Sequence, residues 1–336
     1  MGASAIQGLA KKNNGEAMES KGGGWAFAAK LAGAAAGAAY GVALAALWAN
    51  QEKILFKPDP FSRADQSLRA RRGARAKGRR VMEWAYKAPD GASIQGYVSL
   101  PGLRVGSSGA SLAAVVYFGG IREESSWALE HAWEFGEKAF VCVNYRGYGL
   151  SEGRPEQEKI LADCAGAMEM LASQGYFDPA KVHVIGRSLG SGVAGYLSNK
   201  MPVAKVCLVT PYDSVLSVAK RKYWFLPVGS IIRHPFDAMP WARKNAAPML
   251  MILSERDEVV PHQHSQRLYE AWSGEKSQIM ISGVDHSTVV LADNFFKTIA
   301  AFFEPAEKSA REDGSRGEGV GVDAGAIGGA REQARA

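Results

Sequence analysis

The apolar positions of this chain fall into one long uncharged run and then many short ones. Leu31 to Ala49 is nineteen residues without a charge. As a helix it would span ~28 Å, close to a hydrocarbon core of ~30 Å. Lys30 and Lys53 flank it, and Trp25 and Trp48 stand where interfacial aromatics are found. The pattern predicts a single-pass membrane anchor over 25–49. Its small residues leave a cleaved signal peptide as the alternative, although the 24-residue leader is long for one. Residues 1–24 are polar, Gly-rich and aperiodic, which reads as a flexible N-terminal segment.

From Val81 the pattern changes. Val81–Ala88 and Ser93–Leu100 read as strands around a Pro89-Asp90-Gly91 turn. Leu112–Phe118 and Ala139–Asn144 are short apolar runs of the kind that fill a buried parallel sheet. A helix over Ile160–Ser173, a strand over Val182–Ile185, a helix over Gly190–Asn199 and a strand over Lys205–Thr210 follow. Strands at Pro248–Leu253 and Gln278–Ser282 bracket a helix at His264–Ser273, and Ala292–Phe303 is a terminal helix. Such alternation predicts an α/β domain over 81–305 built on a doubly wound, mostly parallel sheet. It lapses over about 213–246, an excursion that reads as a lid or a packed loop. Residues 50–80 read as a basic linker, and 306–336, poor in large apolar residues, as a disordered tail.

Composition and charge change this picture little. A hydrophobic content of 47% suits a globular core. The net charge of +6 is local, because Arg69, Arg71, Arg72, Arg75, Lys77, Arg79 and Arg80 supply it. A basic strip beside an apolar run fits an anionic lipid surface or a solvated linker better than a nucleic-acid groove. Lys and Arg after the apolar run outnumber those before it, which slightly favours a cytoplasmic catalytic domain. Within the run Gly33, Gly37 and Gly41 would line one helix face, a candidate homodimer contact that the segment's Ala/Gly richness also explains by chance. Cys142, Cys164 and Cys207 lie widely spaced in apolar runs, which suits buried thiols and neither a disulfide framework nor a metal site.

The sharpest chemical signal is Gly186-Arg187-Ser188-Leu189-Gly190, between a strand and a helix. A turn so tight needs glycines beside the central residue, and it lifts Ser188 to a helix N-terminus. Serine needs a base. Of six histidines, His286 lies just beyond the last strand and follows the expected order of serine, acid, histidine. His131 and His183 precede the serine, His234 falls in the excursion, and His262 and His264 open a helix. Asp257, just past the preceding strand, is the candidate acid, with Asp213 its competitor and Glu255, Glu258 and Asp285 nearby decoys. The Leu189 amide is one candidate oxyanion donor. Tyr117-Phe118-Gly119-Gly120-Ile121 supplies the other, Ile121 first and Gly120 next.

These pieces resemble the membrane-anchored α/β-hydrolases related to prolyl-aminopeptidase-type serine peptidases and to depalmitoylating thioesterases. The resemblance rests on Phe118-Gly119-Gly120, on Asn144-Tyr145-Arg146-Gly147-Tyr148-Gly149-Leu150-Ser151-Glu152-Gly153 and on Gly186-Arg187-Ser188-Leu189-Gly190-Ser191-Gly192. Glu255-Arg256-Asp257-Glu258-Val259-Val260-Pro261, Asp285-His286, and Gln51 to Pro58 after the anchor complete it. It covers about 25–305 and implies the α/β-hydrolase fold and hydrolysis of an ester, thioester or amide, with no cofactor. Ile121 departs from it, since relatives usually carry a polar residue there. The expected substrate is a small or acylated molecule. An aminopeptidase would need an anionic subsite, for which Glu123 and Glu124 are the nearby candidates. A non-catalytic membrane scaffold is the reading from another class.

Overall fold

The computed structural model of the protein describes residues 4–57, 64–102 and 111–305; the expected tail over 306–336 lies outside them. The first helix, α1, runs Ser4–Ala49. Its backbone is helical through 4–24, where the sequence showed no periodicity. Ala, Lys, Glu, Gln and Met there are good helix formers, which need no apolar periodicity to favour a helical backbone. Phe27–Ala49 is the one helical stretch among the described residues that is long and apolar enough to cross a membrane. Gly33, Gly37 and Gly41 meet nothing within 4 Å.

The region expected as a linker is docked structure. Helix α2 (Gln51–Leu55) is followed by α3 (Ala64–Ala76). Ser67, Ala70 and Ala74 fall on one face of α3 and are buried, the last two in the core. Small residues at that spacing let a helix approach closely, and the surrounding arginines mask this apolar face in the sequence. Arg79 is buried as well. It donates to Ser99 Oγ (3.1 Å) and to the carbonyls of Ser99, Gly136 and Lys138 (2.8, 2.6 and 2.7 Å), and burial lowers its pKa to about 10 against the opposing pull of Glu137. Arg71 is half-buried over the Tyr97 ring and pairs with Glu83, while Arg69, Arg72, Arg75, Lys77 and Arg80 are exposed.

Eight strands form one sheet: β1 (Arg80–Lys87), β2 (Ser93–Leu100), β3 (Ala114–Phe118), β4 (Ala139–Val143), β5 (Val182–Arg187), β6 (Lys205–Val209), β7 (Met249–Arg256) and β8 (Lys276–Asp285). Their order is β1-β2-β4-β3-β5-β6-β7-β8. The β1–β2 and β2–β4 pairs are antiparallel and all others parallel. Side chains alternate between two cores. Val116, Val141 and Val184 face α4 (Gln157–Ser173) and α5 (Leu189–Leu197); Tyr117, Phe140 and Ile185 face α3, the 3-10 segment Ser125–Phe135 and α10 (Phe295–Phe303). Two buried faces explain why these strands read as unbroken apolar runs. The three cysteines are buried and unpaired, as their apolar surroundings implied.

The excursion contains α6 (Val215–Lys222), α7 (Val228–Ile231) and α8 (Met239–Ala242), and α9 (His262–Ala271) follows β7. It holds the end of α1. Gln51 donates to the Ile231 carbonyl and accepts from the Arg233 amide (2.5 and 2.8 Å), and Arg233 pairs with Glu52 and covers the Trp48 ring. Phe56 is fully buried, packs edge-on against Phe236 and accepts a 2.5 Å bond from Tyr148. The apolar helix therefore meets the domain at the edge of the sheet where the parallel strands end.

Candidate active site

Ser188 sits where β5 turns into α5, with φ 49° and ψ −116°. Such a conformation costs a non-glycine residue on the order of 1–3 kcal/mol and persists only when its surroundings impose it. Its amide donates to the Val209 carbonyl (2.9 Å), and its carbonyl accepts from the Ser191 amide and hydroxyl (2.9 and 2.7 Å). The flanking glycines are sterically required. A Cβ on Gly190 would lie 2.1 Å from the Phe118 carbonyl oxygen, and one on Gly186 2.5 Å from that of Gly190.

His286 Nε2 lies 2.9 Å from Ser188 Oγ, and its Nδ1 lies 3.0 and 2.9 Å from the two carboxylate oxygens of Asp257. The partners are 98 and 29 residues apart in sequence, yet β7 and β8 pair parallel with Arg256 opposite Asp285, so their trailing loops emerge side by side. Asp257 Oδ1 is also held by the amides of Val259 and Val260 (3.0 and 2.7 Å). An ionised Asp257 accepts the Nδ1 proton, which leaves Nε2 as the acceptor for the serine hydroxyl. Ser188 and His286 are each only 8% exposed.

The competitors are engaged elsewhere. Asp213 accepts from Arg267 Nε (2.7 Å) and contacts His264 Nδ1 (2.9 Å), forming a buried pair with a histidine other than His286. Burial would raise its pKa, but His264, the Ser214 amide and Arg267 together lower it. Neither His264 at the start of α9 nor His234 in the excursion is exposed. His264 is buried, and buried His234 receives the Gln157 amide while its Nε2 lies 3.1 Å from Glu52. His131 and His183 stack on Phe296 and Phe303, and His262 contacts the Ser254 carbonyl. Glu255 receives the Gly283 amide, and Asp285 caps the amides of Ser287 and Thr288.

The loop after β3 borders the serine: a Cβ on Gly120 would lie 3.4 Å from that of Ser188. Gly120 itself is removed as an oxyanion donor, because its amide donates to Glu123 Oε2 (2.7 Å). Among the described residues no acceptor takes the Leu189 or Ile121 amide. Glu123 also accepts from Tyr117, Trp127 and Arg187 (2.5, 2.8 and 2.5 Å). Burial alone would raise its pKa; Arg187 and these donors keep it lowered. Arg187 reaches on to the His286 carbonyl (3.1 Å). This link joins the three loops of the site and has no local sequence signature. Glu124 is consumed by Ser126 and Asn144, and Arg146 clasps Asp163 and Asp90, which orders its glycine-rich loop.

A mostly parallel sheet with a serine on a strand-to-helix turn, and a histidine–aspartate pair on the loops of its last two strands, is the arrangement of the α/β-hydrolases. The chain belongs to the α/β-hydrolase superfamily, and hydrolysis is the chemistry that membership supports. It is 30% identical over 251 residues to an uncharacterized protein of Mycobacterium tuberculosis, across 74% of this chain and 84% of that one. It is 28% identical to the alpha/beta hydrolase domain-containing protein WAV2 of Arabidopsis thaliana (52% and 63%), and 25% identical to an uncharacterized membrane protein of Saccharomyces cerevisiae (50% and 61%). An acetyl xylan esterase from Paenibacillus sp. R4 overlays with a TM-score of 0.52 at 16% identity, over 76% of this chain and 99% of the esterase, a likeness of fold. No family model matches the chain.

Proposed function

We propose that the protein is a membrane-anchored serine hydrolase that cleaves an ester or thioester through an acyl-enzyme. His286 Nε2 takes the Ser188 proton as Oγ attacks the acyl carbonyl carbon, while Asp257 stabilises the resulting imidazolium. The amides of Leu189 and Ile121 receive the oxyanion. Collapse expels the alcohol or thiol, which leaves with the proton from His286. Water, deprotonated by the same imidazole, then attacks the acyl-enzyme and frees the acid and Ser188.

The observation that carries this reading is the continuous Ser188–His286–Asp257 hydrogen-bond line on a strained turn. Strain of that kind argues for an active centre over an inert scaffold. The aminopeptidase alternative loses its anionic subsite, because Glu123 and Glu124 are both buried and spent on internal partners. A neutral acyl substrate needs no such subsite. Phe27–Ala49 would span the bilayer, and the exposed basic residues that follow it favour a cytoplasmic domain. Pairing of two copies through Gly33, Gly37 and Gly41 is a further part of this proposal.

The test is reaction of the full chain with a fluorophosphonate probe and turnover of activated esters. Ser188→Ala should abolish the adduct and lower kcat by roughly 10⁴–10⁶. A Ser188→Ala protein that still labels and turns over at the wild-type rate would overturn the assignment.

A further inference from the structure

Most of the large exposed apolar side chains outside α1 and α2 lie at one edge of the sheet, with Leu68, Trp133 and Met280 elsewhere. Ile121 follows β3, Leu150 follows β4, Val259 follows β7 and Leu291 follows β8. Trp224, 81% accessible, is the most exposed of the group and stands between Tyr223 and Phe225 on the excursion after β6. This is the edge that carries Ser188, because β3 to β8 run parallel and the serine caps β5. Scattered apolar side chains on a surface are ordinary; a ring of them around one edge marks a contact surface.

The charges next to Tyr223-Trp224-Phe225 are basic, whereas Glu152 and Glu258 adjoin Leu150 and Val259. Lys220, Arg221 and Lys222 form the last turn of α6, immediately before Tyr223-Trp224-Phe225. Their place at a helix C-terminus suits the helix dipole, but the dipole does not account for exposed aromatics. Lysine and arginine adjoining tryptophan, tyrosine and phenylalanine is the composition that settles at the boundary of headgroups and acyl chains.

The anchor is fastened to the same piece of structure. One turn of helix, Val228–Ile231, separates Phe225 from the Ile231 carbonyl that Gln51 holds, and Arg233 and His234 then bind Glu52. The excursion and the end of the apolar helix are thus one connected unit at the Ser188 edge. We propose that the Lys220–Phe225 tip lies in the headgroup region of an anionic bilayer, so that the edge bearing Ser188 faces the lipid and takes acyl groups presented at that surface. This rests on the reading of α1 as a membrane anchor and names the substrate's location.

The experiment uses the full chain in vesicles of phosphatidylcholine and phosphatidylserine. A nitroxide is placed by Tyr40→Cys in the anchor, Phe225→Cys at the tip, or Ala180→Cys at the opposite edge of the sheet; the natural cysteines are buried and stay unlabelled. Collisional access to oxygen and to a water-soluble nickel chelate is compared at each site. Lipid-like access at Tyr40 and Phe225, with an oxygen-to-nickel ratio several-fold above that at Ala180, is expected. Lipid-like access at Tyr40 with aqueous access at Phe225 overturns the docking and leaves the anchor standing. Aqueous access at Tyr40 removes the anchor and the proposal with it. Replacing Lys220, Arg221 and Lys222 by glutamate should move the Phe225 label toward water, and an unchanged depth would contradict recognition of anionic lipid.

Discussion

Arg187 is one of the two non-glycine neighbours of Ser188 in the Gly186–Gly190 turn, and its side chain ties that turn to Glu123 in the loop after β3 and to the His286 carbonyl. It touches no reacting atom and acts as a positioning residue. Arg187→Met should lower kcat by about 10–100-fold with little change in KM, since sub-ångström misplacement of the base acts on the transition state. Arg187→Lys should recover part of the loss through its charge. A rise in KM at unchanged kcat would place Arg187 in substrate binding instead. A second residue-scale effect belongs to His183, whose pKa is lowered to about 4, chiefly by burial and further by Lys138 and Lys205, against Glu304. Unfolded, the same imidazole titrates near ~6.5. Between these values only the unfolded chain binds the proton, so stability present above ~6.5 is lost as pH falls toward 4. His183→Leu should flatten this loss by on the order of 2–3 kcal/mol, seen as a shallower pH dependence of the urea midpoint; an unchanged slope would contradict the depressed pKa.

Among the elements, α3 differs most from its appearance in sequence. Its arginines suggested a linker, while Ala70 and Ala74 are sealed against the 3-10 segment and the sheet. Ala74→Asp buries an unpaired carboxylate there and should cost roughly 3 kcal/mol. Exposed Arg72→Ala should stay within about 0.5 kcal/mol. Urea unfolding of the detergent-solubilised protein compares the two, and equal midpoints would show that α3 is not docked. The strands were easier to read. Two buried faces leave continuous apolar runs, and the glycines at 186 and 190 are imposed by backbone contacts that lie close in sequence or on the neighbouring strand.

At the scale of the whole molecule, α1, α2 and the excursion bring an apolar helix to the edge of the sheet that carries Ser188. The chain should stay with the membrane through an alkaline carbonate wash, and release into the supernatant would contradict spanning. Alternating pattern and turn chemistry were enough to give the α/β class, the parallel sheet, the long apolar helix and Ser188, His286 and Asp257 as candidates, because periodicity and chain order are local properties of the text. Which amide stays free, which carboxylate is spent and which basic residues are docked emerged only from the fold. Glu123 meets Arg187 across 64 residues and Gln51 meets Ile231 across 180. Pairings over such separations leave no repeat in the sequence; they are decided by which loops a sheet places side by side.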